Sequence, residues 1–171
     1  KKGLGDLETG FLLKGVDTKN WQFSMIIGMG FPIGNHQLKA TYLSEGSQLM
    51  SYSMQNSSGS IHLISGASLK RLYSRFSLGL LAVSRTPFLA TDETYLHGNE
   101  LIVDFWGSVS AWKYISLYSN LEAIYRQSVQ SVRERLNNSL TWAHDPENTG
   151  GRFVTLSLGS FWHIDWGLLK H

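Results

Sequence analysis

Between Trp21 and Phe31 the chain reads WQFSMIIGMGF, which sets Trp21, Phe23, Met25, Ile27, Met29 and Phe31 against Gln22, Ser24, Gly28 and Gly30. Successive side chains of an extended strand point to opposite faces, so this alternation describes a strand with two different surroundings. The pattern recurs from Leu7 to Val16 and from Ile61 to Leu69, the latter against Ser60, His62 and Lys70. Phe76, Leu78, Leu80 and Ala82 oppose Arg75, Ser77 and Gly79, while Leu101, Val103, Phe105 and Val109 oppose Glu100, Asp104 and Ser108. Ile115, Leu117, Leu121 and Ala123 oppose Ser116, Asn120, Glu122 and Arg126, and Val154, Leu156 and Leu158 oppose Thr155, Ser157 and Gly159. A further strand is expected to begin near Asp165, and it stops at His171 before reaching the roughly 9 to 11 residues a membrane strand needs. Helix is expected only over Val129 to Asn138, as a short surface piece.

The connections alternate as strictly as the strands. Asp17 to Asn20, Arg71 to Ser74, Trp112 to Lys113 and His163 to Ile164 are tight, whereas Pro32 to Gly59, Thr86 to Gly98 and Gln127 to Gly150 are long and polar. All three prolines fall in the long connections, as expected of residues that cannot donate to a ladder. Charged residues make up only 16% and aromatics 12%, with 17 glycines, a balance that argues against a helical bundle. No apolar run is long enough for a membrane helix. Short and long connections in turn are the signature of an up-and-down barrel in an outer membrane, with short periplasmic turns and longer outer loops.

The expected fold is therefore all-β: an antiparallel, up-and-down transmembrane β-barrel, with about eight strands in this chain. Residues 1–171 are expected to form a single barrel domain that lacks strands at both ends. Barrels of this class keep both termini on one side with an even strand number, so the complete barrel should have about ten strands or more. The first residues, KKGLGDLETG, hold two lysines without an apolar segment behind them, in keeping with a mature chain or a fragment.

Aromatic placement bears on what surrounds the strands. Trp21, Tyr73, Trp112, Tyr114, Trp162 and Trp166 all fall at the short-turn ends, where a girdle at a membrane interface would sit. Turn-flanking core aromatics of a soluble barrel are the bland alternative. A lipocalin-like binding barrel, whose apolar residues point inward round a ligand, stays open at this point.

Several segments are familiar as a set. GLGDLETG followed by a strand and then FPIG resembles the "GLGDL … LPTG" signature of the outer-membrane barrels grouped as the meta-pathway phenol-degradation family. SMQNSSGSIHLISGASL, YLHGNELIVDFWGSVSAWKYISLYSNLEAIYR and GGRFVTLSLGSFW resemble later strands of that family, in order and over nearly the whole chain. Ile33 stands where the family usually has Thr, and the family has strands before the GLGDL segment. The resemblance implies an outer-membrane barrel of a Gram-negative bacterium, described in that family as a transporter, with small solutes, aromatic ones included, as its cargo. It transfers no catalytic residue.

The residues themselves offer no sharper chemistry. Asp6, Glu8, Glu100, Asp104 and Glu122 are expected on the inner face beside Lys14, Lys70, Arg75, Arg85 and Arg126. Of these, Arg75, Arg85, Glu100, Asp104, Glu122 and Arg126 are the candidates for a lumen constriction. The bland reading is that paired charges fill a narrow barrel, since unpaired burial is costly. The six histidines show no ligand spacing, so no metal and no cofactor is expected, and His62 is the one expected inside the barrel. No nucleophile elbow is present, and GMGFPIG lacks the Lys and helix of a phosphate loop, so an enzyme is not expected. A formal net charge of +2 with scattered basic residues argues against nucleic acid and leaves the lipid bilayer as the expected partner. A channel for small solutes, a structural barrel with a plugged lumen, and an outer-membrane enzyme follow in that order.

Overall fold

The computed structural model describes residues 5–35, 39–42, 46–49, 56–90, 96–129 and 149–162. Among the described residues nine strands follow one another: β1 (Leu7–Asp17), β2 (Trp21–Phe31), β3 (Lys39–Tyr42), β4 (Gly46–Leu49), β5 (Ser60–Leu72), β6 (Phe76–Ala90), β7 (Glu100–Trp112), β8 (Ile115–Arg126) and β9 (Gly151–Trp162). Seven of them form one open antiparallel sheet in the order β1-β2-β5-β6-β7-β8-β9, so every neighbour in the sheet is the next long strand in sequence. This is the up-and-down order expected from the alternating connections. The strands of the sheet run 11 to 15 residues, each at least as long as a membrane crossing requires.

Each period-two segment within the described residues becomes a strand. The small hairpin β3–β4 lies inside the long connection between β2 and β5 and pairs Lys39 to Leu49 through Tyr42 to Gly46, an element the alternation did not announce. The strand expected near Asp165 and the helix expected over Val129 to Asn138 lie outside the described residues, apart from Val129 itself.

One proline is placed differently from expectation. β6 continues through Thr86 and Pro87 to Ala90 instead of giving way to a connection at Thr86. Pro87 pairs with His62 where the β5–β6 register shifts, leaving Phe88 as the extra residue of a bulge. A bulge is where a strand tolerates a residue without an N–H. Beyond Arg85, moreover, β6 pairs with β5 alone, so its other edge asks for no donor.

The short turns are fastened to one another. Thr18 accepts at Oγ1 from the Trp21 amide at 3.0 Å and donates its own amide to the Trp21 carbonyl at 2.8 Å. The Leu72 amide donates to Asn20 O, Tyr73 N to Phe76 O and Ser110 N to Arg75 O, joining the turns of three hairpins into one rim. At the opposite end Gly59, the sole described residue with positive φ (64°), turns the chain into β5, a conformation that Cβ-bearing residues avoid. The Asp6 carboxylate accepts from the Ser58 amide there at 3.0 Å, tying the entry of β1 to the entry of β5.

Register sorts the sheet into two faces. Met25, Ile27, Met29, Leu63, Leu69, Leu80, Phe105, Leu121 and Leu156 share one, and Ser24, His62, Ser68, Lys70, Asp104, Asn120 and Glu122 share the other. The two faces differ in exposure. Leu80 is 44%, Phe105 50% and Leu158 75% exposed, whereas on the polar face His62 is 7% exposed and Ile64 8%. A single-layer sheet that shields its polar side more than its apolar side is curling round the polar side.

Candidate functional site on the polar face

Four strands from β5 to β8, together with β1, bring their charged side chains together at the long-connection end of the polar face. Arg85 on β6 donates from Nη1 to Glu100 on β7 at 2.9 Å and from Nε to Glu8 on β1 at 3.1 Å. Arg126 on β8 donates from Nε to the second Glu100 oxygen at 2.8 Å, and its Nη2 pairs with that same oxygen. His62 on β5 reaches Glu8 from the other side, its Nε2 3.1 Å from the carboxylate. A carboxylate can only accept, so the His62 proton on that bond sits at Nε2. From Glu8 through Arg85 and Glu100 to Arg126 the signs alternate, each charge is partnered, and His62 extends the chain by its hydrogen bond to Glu8.

That chain of contacts depends on a missing side chain. Gly30 of β2 lies between Glu8 and His62 in the register, and a Cβ at Gly30 would overlap the His62 ring. Valine at Gly30 is expected to expel His62, break the bond to Glu8, and cost about 1 to 3 kcal/mol, the usual penalty of overpacking. Denaturant unfolding checks this: if the pair is what valine disrupts, adding His62→Ala recovers most of the loss, and no recovery would mean the damage lies in the backbone.

Below the ionic row the polar face is banded. One register row carries Leu12, Ile26, Val83, Ile102, Ile124 and Phe153, apolar apart from Gly66 within it. The next is polar apart from Leu81, with Lys14, Ser24, Ser68, Thr155 and the directly paired carboxylates Asp104 and Glu122. Asn120 donates to Asp104 Oδ1 at 3.2 Å, while its own Oδ1 is buried without a partner. In the row after that, Gly79 makes room for the Trp106 indole, over which the Lys70 ammonium sits 5.6 Å from the ring centre. Tyr118 lies over Gly159 in the same manner and packs on Phe161 with ring centres 5.2 Å apart.

The residues expected to form a constriction thus separate into three places. Arg85, Glu100 and Arg126 converge in the ionic network, and Asp104 with Glu122 forms a second group two register rows away. Arg75 joins neither: it lies in the turn between β5 and β6, at the far rim from Arg85, because β6 begins only at Phe76. Of the aromatics expected at an interface, Trp21, Tyr73, Trp112, Tyr114 and Trp162 all sit at the short-turn rim and are exposed, and Trp166 lies outside the described residues. Among the described residues no group of three or more His, Cys, Asp or Glu could hold a metal ion.

Sequence reasoning missed Glu8's role as the junction of two partners and the apolar row altogether. The signal for the latter was present in the doubled apolar positions Met25-Ile26-Ile27, Ala82-Val83 and Leu101-Ile102-Val103, which break strict alternation.

His97 lies just before β7, near this mouth. Burial holds its imidazole below the ordinary histidine range, the Arg126 guanidinium adds to that, and Asp6 and Glu100 oppose it, with His62 a further facing group. A histidine that binds its proton less well folded than unfolded stabilises the fold above its unfolded pKa of about 6.5, and the benefit is lost as pH falls from there through the folded value. Stability should accordingly decline as pH is lowered below about 6.5, and His97→Gln should flatten that part of the profile. An unchanged slope in the variant would remove His97 from the account.

Neither family models, characterised proteins nor solved structures give a match to this chain, so the fold and the site rest on its own residues. The likeness to the phenol-degradation barrels stays a likeness of short segments.

Proposed function

We propose that this chain is part of an outer-membrane β-barrel that passes small solutes. One observation carries the reading: the apolar face of the sheet is the more exposed and the polar face the more shielded. A soluble protein that curls a sheet does the reverse, as a lipocalin-like barrel does, so lipid is the surrounding that this arrangement suits. Backbone physics agrees, since only a closed barrel satisfies strand donors and acceptors in hydrocarbon. The seven strands supply part of such a wall, and the short-turn rim with its five exposed aromatics suits the interface. The Gly-Asp-Leu and Pro-x-Gly resemblance points the same way.

Within the lumen the paired charges at the mouth and the facing Asp104 and Glu122 favour selection of a solute over chemistry on it. Conductance of the full-length protein in a planar bilayer is the test, with alanine replacing Asp104 and Glu122. A pore is expected, with its preference for cations reduced in the variant, because fixed negative charge at a narrow point enriches cations there. A protein that inserts and never conducts would favour the structural barrel with a plugged lumen.

A further inference from the structure

The short-turn rim carries an uncompensated positive charge set among its aromatics, and we infer that it binds the phosphodiester headgroup of an anionic phospholipid, with Arg71 as the principal contact. This rests on the membrane reading above and adds a lipid preference to it.

Arg71 is out of place by ordinary rules. Its register partners are Trp21 on β2 and Leu78 on β6, so its side chain belongs to the apolar face, and it is exposed there. The guanidinium carbon lies 4.7 Å from the Trp21 ring centre and 4.7 Å from that of Tyr73, whose own ring stacks on Phe76 at 4.0 Å. Those contacts satisfy its π-face and leave its N–H groups, which among the described residues have neither a carboxylate nor another hydrogen-bond acceptor. A guanidinium offers five donors in a planar fork that matches a phosphate, and at the edge of an apolar face an unpaired charge calls for such a partner.

The surroundings carry the same sign. Among the described residues Lys19, Arg75 and Lys113 occupy the three short turns, all exposed and none with a carboxylate partner, Lys113 lying 5.0 Å from the Tyr114 ring. Among the described residues the one acidic residue near this rim, Asp17, is already taken by Lys14 at 3.7 Å. The opposite end of the sheet, by contrast, cancels its charges in the Glu8, Arg85, Glu100 and Arg126 network. A cationic collar on one rim and a neutral one on the other is an orientation signal for a bilayer surface of negative charge, each cation near it being worth about 1 kcal/mol.

The test uses the full-length protein in vesicles of phosphatidylcholine mixed with phosphatidylglycerol. Bromine-labelled versions of each lipid quench tryptophan, and Trp21, Trp112 and Trp162 lie on the rim itself. Phosphatidylglycerol should quench in preference to phosphatidylcholine, and Arg71→Gln should lower that preference about fivefold, the equivalent of one cation. Arg152→Gln is the control. Arg152 shares the apolar face and lies over Tyr125, 5.8 Å from the ring, but at the other end of β9. It removes the same charge and should leave the preference unchanged. Equal losses in both variants would reduce the effect to net charge and overturn the assignment. So would a wild-type protein that inserts and is quenched alike by both lipids, an outcome that leaves the membrane reading standing. Failure to enter vesicles of either composition would sink both.

Discussion

Arginine at Leu80 is expected to destabilise the bilayer-embedded protein by about 2 to 4 kcal/mol, while arginine at its immediate neighbour Leu81 costs far less. The two positions differ by one residue, so depth in the bilayer and the identity of the lost side chain are matched. Only the face changes. Leu80 pairs with Leu69 and Phe105 on the apolar face and lies about 16 Å along the strand from the turn at Arg75, near the middle of a crossing. Leu81 pairs with Ser68 and Asp104, so a guanidinium there gains a carboxylate. Ser77, whose hydroxyl meets that of Ser108 at 2.8 Å, is a second polar-face position where arginine should be cheap. Reversible urea unfolding in lipid vesicles measures the difference. Equal penalties at Leu80 and Leu81 would mean that lipid does not bathe the face carrying Phe105, and a soluble barrel would return as the better reading.

How far the sequence discloses this structure depends on which link is asked about. Alternation fixes which residues share a face, because the period of a strand is a property of the backbone alone, and it placed Phe23, Leu63, Leu117 and Leu156 opposite Ser24, His62 and Asn120 correctly. Alternation is silent on which residues share a row. Rows are set by turn length and by bulges such as the one between Lys14 and Val16 or between Ile61 and His62, and a shift of one residue there relocates every neighbour downstream. Single members of the apolar row, such as Ile26 and Ile102, stood out as breaks in the alternation, but their alignment with Val83 and Ile124 in one row was not legible, and neither was the meeting of Glu8 with Arg85, 77 residues apart. Arg75 illustrates the converse. Its place before Phe76 fits the alternating pattern, yet the turn runs through it and the strand begins one residue later than the pattern implies. The glycines that admit His62, Trp106 and Tyr118 read in the sequence only as weak strand formers, and their use as gaps needs the partner strand.

The row assignment has its own consequence at Glu100, where the second large effect is expected. Replacing Glu100 by alanine should cost about 2 kcal/mol, because it removes charge-assisted bonds from two arginines at once. The figure is held down by the exposure of the arginines, since screened pairs are worth less than buried ones. Glu100 itself is 14% exposed, against 34% for Arg85 and 47% for Arg126. The two arginines do not suffer alike. Arg85 keeps Glu8 at 3.1 Å, whereas Arg126 has no other carboxylate among the described residues. Adding Arg126→Gln to Glu100→Ala should therefore recover part of the loss by removing the stranded charge, and adding Arg85→Gln should deepen it by releasing Glu8 and its bond to His62. Unfolding free energies of the two double variants decide the matter. Recovery in both would describe a simple excess of positive charge at the mouth, and the alternating chain from His62 to Arg126 would have no energetic meaning beyond its net sum.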